Sequence, residues 1–115
     1  MSTQPVPKVT RSDVERIARR DFSISIESEV LAILADYAGQ EPHRVHLAIL
    51  KLAGGDLERL RPIVKAATSD FRDVLSAAEY PDYSWLIDPS NPAHLPEVDR
   101  IIAADWSQYQ EWLTR

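Results

Sequence analysis

The stretch Asp56–Ala78, DLERLRPIVKAATSDFRDVLSAA, decides the fold. Leu57, Leu60, Val64, Ala67, Phe71, Val74 and Ala78 follow one another at steps of three, four, three, four, three and four. That rhythm lines apolar side chains along one side of a helix, whereas a strand would need a period of two. Ile63 and Leu75 widen the stripe from a coiled-coil seam to the face of a bundle helix. Asp56 is placed to cap its start. Pro62 removes the bond to the Glu58 carbonyl, so a kink or break is expected there, with Ser69 and Asp70 as a second cap. Tyr80 before Pro81 is the expected stop.

Helical spacing continues on both sides of this segment. Towards the N-terminus, Gly54 and Gly55 close a run from Pro42 in which Val45, Leu47, Ala48, Ile49, Leu50, Leu52 and Ala53 leave little polar face. Proline suits the first turn of such a helix, where its missing N–H would be unpaired anyway. Val30, Leu31, Ile33, Leu34, Ala35, Tyr37 and Ala38 predict another helix, which Gly39 should end in a left-handed conformation. Val14, Ile17 and Ala18 predict a short helix capped by Thr10 or Ser12 and ending near Phe22. Ser23–Ile26 alternates like a strand but has no partner stretch, and an isolated strand cannot form a sheet. Towards the C-terminus, Pro81–Pro96 holds four of the eight prolines and shows no period. Its Tyr83, Trp85, Leu86 and Ile87 are too apolar for a free linker, so the expectation is a loop wrapped over the helices. A last helix is expected from Pro96 or Glu97 to Leu113, with Val98, Ile101, Ile102, Trp106, Tyr109, Trp112 and Leu113 along one face.

The runs RVHLAILKL (44–52), GDL (55–57), DFRDVL (70–75) and AEYP (78–81) resemble a group of short uncharacterised bacterial proteins with a helical core. The resemblance lies within residues 44–81 and implies a bacterial cytosolic helical domain. It carries over no activity, cofactor or site.

A chain of 115 residues suits one hydrophobic core. With 44% hydrophobic and 27% charged residues the composition is that of an ordinary globular domain. No apolar run reaches the ~18 residues of a membrane-spanning helix. The absence of cysteine excludes disulfides, thiolate metal sites and cysteine nucleophiles. The expectation is therefore an all-α small bundle of five or six helices, with a proline-rich wrapped loop before the C-terminal helix. Residues 1–9, with two prolines and no apolar period, read as a flexible tail, and 10–115 as a single helical domain. The start lacks the long apolar region of a secretion signal, which makes the cytoplasm the expected location.

The net charge of −5 is unevenly spread, from +3 over residues 1–20 to −5 from Ser76 onward. Such polarity can steer one molecule's head to another's tail or simply keep a small domain soluble.

Candidate sites are few. His43 and His46 stand three apart beside Glu41, and with His94 could surround a zinc-like ion or a small ligand, but no complete ligand spacing is present. Asp70, Asp73 and Glu79 read as a solvated helix face rather than a general acid–base pair. Arg72 has no acid at three or four residues on either side, so its charge partner should come from another helix or another molecule. Serines lack the Gly-x-Ser-x-Gly elbow, and Gly54–Gly55 lacks the lysine of a phosphate loop. Ala35, Gly39 and Val45 sit at helix-turn-helix offsets, with Arg11, Arg16, Arg19 and Arg20 as phosphate contacts, yet the recognition helix would be mostly aliphatic.

Aromatic residues carry the most weight. A bundle of this size has limited room for Tyr80, Tyr83, Trp85, Trp106, Tyr109 and Trp112, and aromatics left in a patch anchor interfaces. The reading is a noncatalytic protein–protein interaction or assembly module, self-associating through Tyr83, Trp85, Trp106, Tyr109 and Trp112. No cofactor is expected, and neither nucleic acid nor membrane is the expected partner. The alternatives are a DNA-binding helix-turn-helix protein and a metal- or ligand-binding protein using His43, His46 and His94.

Overall fold

Thr10 opens the first helix as its N-cap, and the Asp13 carboxylate reaches back to accept the Thr10 backbone N–H at 2.9 Å. A computed structural model describes residues 5–86 and 95–115, with side chains over 5–83 and 99–115. The α-helices in order are α1 (Arg11–Asp21), α2 (Glu27–Leu34), α3 (Pro42–Ala53), α4 (Leu57–Ser69), α5 (Phe71–Glu79), α6 (Pro81–Leu86) and α7 (Leu95–Thr114). The chain is an all-α small bundle. Among the described residues there are seven α-helices rather than five or six, and the two additions have separate causes.

The first is a break in the long amphipathic segment. It falls at Asp70, not at Pro62, which stays inside α4. Asp70 takes an extended backbone conformation, φ −155° and ψ 98°, and its side chain accepts the Arg72 N–H at 3.1 Å. Asp56 does the same for Glu58 at the start of α4. A residue that satisfies an orphan donor makes a new start cheap, whereas Pro62 is exposed and loses one bond early in its helix. Only one residue separates the helices, so the apolar rhythm survives: Leu60, Val64, Ala67, Val74 and Ala78 are all buried.

The second addition is α6, where a wrapped irregular loop was expected. Pro81 is its first residue, and its N-terminal N–H groups find an acceptor on α7, Asp105. Residues 87–94, the remainder of that loop, lie outside the described residues.

Two smaller expectations also change. Ser23–Ile26 forms a turn of 3-10 helix (Ile24–Ile26) rather than an extended stub, entered through Ser23 at φ 111°. Helix α2 stops at Leu34, five residues before Gly39, and Gly39 is not left-handed. The left-handed residue is Glu41, the N-cap of α3. Tyr37 explains the early stop: it is buried, and its hydroxyl donates to the Gln40 carbonyl at 2.7 Å, turning the chain back on itself.

Helix α3 lies at the centre, packed against α1, α4 and α5, while α2 packs on α1 and α4. Every residue from Val45 to Leu50 is buried. Helix α7 packs on α5 and α6, with Tyr109, Trp112 and Leu113 entering the common core. No helix among the described residues is long and apolar enough to cross a membrane.

Candidate interaction face and the polar joint beneath it

Three helices meet where α5 ends and α6 begins, and polar groups hold them there. Glu79, the last residue of α5, is 2% exposed and takes both hydrogen bonds of a forked pair with Arg44 of α3, Nε to Oε2 at 2.8 Å and Nη2 to Oε1 at 2.7 Å. Arg44 also reaches Glu41 at 3.0 Å. The bond to Glu79 raises the Arg44 pKa against the opposing effect of burial. One residue earlier, Lys51 Nζ donates to the Ala78 carbonyl at 2.7 Å, serving an acceptor that the helix end leaves unpaired. Burial pushes the Lys51 pKa down, partly offset by the Asp105 charge.

Asp105 completes the joint. It is 1% exposed, and its carboxylate accepts the N–H groups of Asp82 at 3.4 Å and Tyr83 at 2.9 Å. An acid on α7 thus caps α6 from outside, where the local sequence offers only Tyr80. The Tyr80 hydroxyl donates to the Pro5 carbonyl, and burial beside Glu79 lifts its pKa to about 12. Tyr80 and Tyr83 meet edge to face, with centroids 6.4 Å apart.

The far end of α7 is held by arginines of α1. Arg16 Nη2 donates to the Leu113 carbonyl at 2.7 Å, and Arg20 Nη1 to those of Trp112 at 2.5 Å and Arg115 at 3.2 Å. Arg20 also lies over the Trp112 ring, 5.1 Å from its centroid. Cations at a helix C-terminus meet both the unpaired carbonyls and the negative end of the dipole. The arginines of α1 thus reach the carbonyl end of α7, while their acidic partners, Glu15, Asp13, Glu27 and Asp21, lie close to them in sequence.

Five aromatic residues were expected at an interface, and the structure separates them. Tyr109 and Trp112 are 1% and 8% exposed and belong to the core, tilted against each other at 5.4 Å. Tyr83 and Trp106 are half-buried. The Trp85 side chain lies outside the described residues. Trp106 is the next residue of α7 after Asp105, the acid that accepts the Tyr83 N–H, and α6 packs on α7.

Arg72 has its charge partner two residues back on its own chain, correcting the expectation of another helix or molecule. Its Nε lies 3.1 Å from Asp70 Oδ1, and the pair is exposed. The N-cap position puts Asp70 within reach, which helical spacing alone would not.

His46 is buried, bonded through Nε2 to the Tyr37 carbonyl at 3.0 Å, with its ring edge-on to Tyr37. Burial lowers its pKa. His43 is half-buried, and His94 lies outside the described residues. Among the described residues no three His, Asp or Glu side chains gather as metal ligands. The helix-turn-helix geometry also dissolves: residues 35–41 separate α2 from α3, and the intended recognition helix is the enclosed one.

Sequence reasoning passed over Asp105 and Lys51, and it read Glu79 as part of a solvated helix face, whereas Glu79 is buried and paired with Arg44. Asp105 had a signal, since it sits three after Ile102 and four before Tyr109, an acid on the apolar stripe of its helix. Glu79 and Lys51 follow buried runs and look like ordinary edge charges. Comparison with protein-family models, with curated proteins and with solved structures found no match.

Proposed function

We propose that this chain is a noncatalytic interaction module that self-associates through the α6–α7 face around Tyr83 and Trp106. The observation that carries the reading is one part-exposed aromatic on each of two packed helices, Tyr83 on α6 and Trp106 on α7, with the buried Asp105 carboxylate fixing the Tyr83 backbone N–H. Aromatic side chains on a rigid platform lose little conformational entropy when a partner covers them, which makes them favoured anchors. The buried ionisable groups support the same reading, because each is engaged in positioning a helix: Glu79 with Arg44, Asp105 at α6, His46 at the Tyr37 carbonyl. Groups so engaged are poor candidates for proton transfer, which needs a partner that can be released.

Sedimentation equilibrium of the full chain up to high micromolar concentration tests the reading. A reversible dimer is expected, and Trp106→Ala should weaken it by at least about tenfold with unchanged circular dichroism. A monomer throughout removes the proposal.

A further inference from the structure

Residues 5–9 lie against their own molecule as a strap. Its sides alternate, with Val6 and Lys8 exposed, Pro7 buried and Val9 packed against the core, the period of two that an extended backbone imposes. The strap meets the polar joint at two places. Pro7 and Val9 form one wall of a cleft that Pro42 and Arg44 close from the α3 side. Before them in the chain, the Pro5 carbonyl accepts from the Tyr80 hydroxyl.

Tyr80 is where such a hold matters. It is the single residue between α5, which ends at Glu79, and α6, which starts at Pro81, and its φ of −134° and ψ of 59° belong to neither helix. Pro81 has its φ fixed by its ring, so α6 turns against α5 chiefly through the backbone angles of Tyr80. The Tyr80 ring is buried and meets the Tyr83 ring of α6 edge to face. Glu79, just before the hinge, is pinned by Arg44, the same residue that lines the strap's cleft.

We infer that Pro5–Val9 is a releasable lock on the α5–α6 hinge: seated, it fixes Tyr80 and helps to keep α6 on α7; unseated, it frees α6 to turn about Tyr80. Release costs little. Among the described residues the strap's hydrogen bond to the body is the one from Tyr80, and its remaining hold is the apolar contact of Pro7 and Val9. Segments with few buried contacts and little backbone bonding open far below the free energy of global unfolding. A local opening at a hinge changes the presentation of an exposed face while the core stays folded. Tyr83 rides on α6, so its placement is what the lock controls. The lock holds whether or not the α6–α7 face pairs with another copy.

Native-state hydrogen exchange of the full chain, read by NMR, tests the lock. Pro7→Ser loosens the strap without touching the hinge, and Tyr80→Phe removes only the hydroxyl. Each should speed exchange about fivefold at the amides of Asp82 and Tyr83, whose N–H groups Asp105 accepts, with the buried run Val45–Leu50 of α3 unchanged. Dilute trypsin gives a second reading: cleavage after the exposed Lys8 should precede cleavage within the helices. Unchanged exchange at Asp82 and Tyr83 in either variant overturns the lock. Equal acceleration across α3 also overturns it, because the strap would then stabilise the whole body rather than the hinge. Cleavage after Lys8 only in step with sites in the helices overturns its separate release.

Discussion

His46 shows what burial does to a single titratable residue. Its Nε2 donates to the Tyr37 carbonyl, and burial holds its pKa below the ordinary 6.5, with the His43 and Arg11 charges pushing the same way. Unfolded chains bind a proton near the ordinary value, whereas the folded chain resists until lower pH. The stability from neutral His46 is therefore complete above that ordinary value and is lost as pH falls through the window beneath it. Urea midpoints measured from about pH 7.5 to about pH 5 should fall for the wild type, and His46→Gln should flatten that slope. An unchanged slope would mean that other groups set it. The residue was visible in the sequence as one of a histidine pair, but its environment was not. Spacing shows which residues share a helix face; it does not show which backbone carbonyl will lie opposite, because that acceptor belongs to the loop after another helix. Arg72 makes the same point in reverse, since its partner Asp70 was two residues away and only the extended cap conformation brings them together.

Element ends in this molecule are set by caps more than by propensity. The α3–α4 turn is the clearest case. Gly54 is left-handed at φ 59° with open space where a Cβ would stand. Gly55, at φ 83°, faces the Asp21 carbonyl oxygen, which would lie 3.0 Å from an added Cβ. Gly54→Ala carries only the left-handed conformation and should destabilise by about 1 kcal/mol. Gly55→Ala adds a clash with a backbone atom that cannot rotate away, so a loss of about 2 kcal/mol or more is expected. Denaturant unfolding of the two variants checks the order; equal losses would mean that the Asp21 contact relaxes freely. This turn was legible from the two glycines alone. Helix α6 was not, because its cap acceptor sits on α7, and the break at Asp70 was legible only as one of two alternatives. Between a proline early in a helix and an aspartate able to cap, local rules supply two candidates, and the break falls where the Asp70 side chain accepts the Arg72 N–H.

Across the whole molecule, α1 holds the C-terminal end of α7 through Arg16 and Arg20. Arg20→Ala removes hydrogen bonds to the Trp112 and Arg115 carbonyls and the cation above the Trp112 ring. A loss of about 1 to 3 kcal/mol is expected, seen as faster hydrogen exchange confined to the last turns of α7. Faster exchange throughout would show that α7 does not open separately from the rest. The apolar periods by themselves determined the helical class, the enclosed position of α3 and the seam from Leu57 to Ala78, because burial follows from side-chain spacing that a helix imposes locally. Tertiary structure alone decided which aromatics enter the core, that Asp105 caps a helix other than its own, and that residues 5–9 seat beside Tyr80. Each of these joins groups far apart in the chain, and the energy of such a pairing is set by distance and burial in three dimensions, quantities that one-dimensional order does not contain.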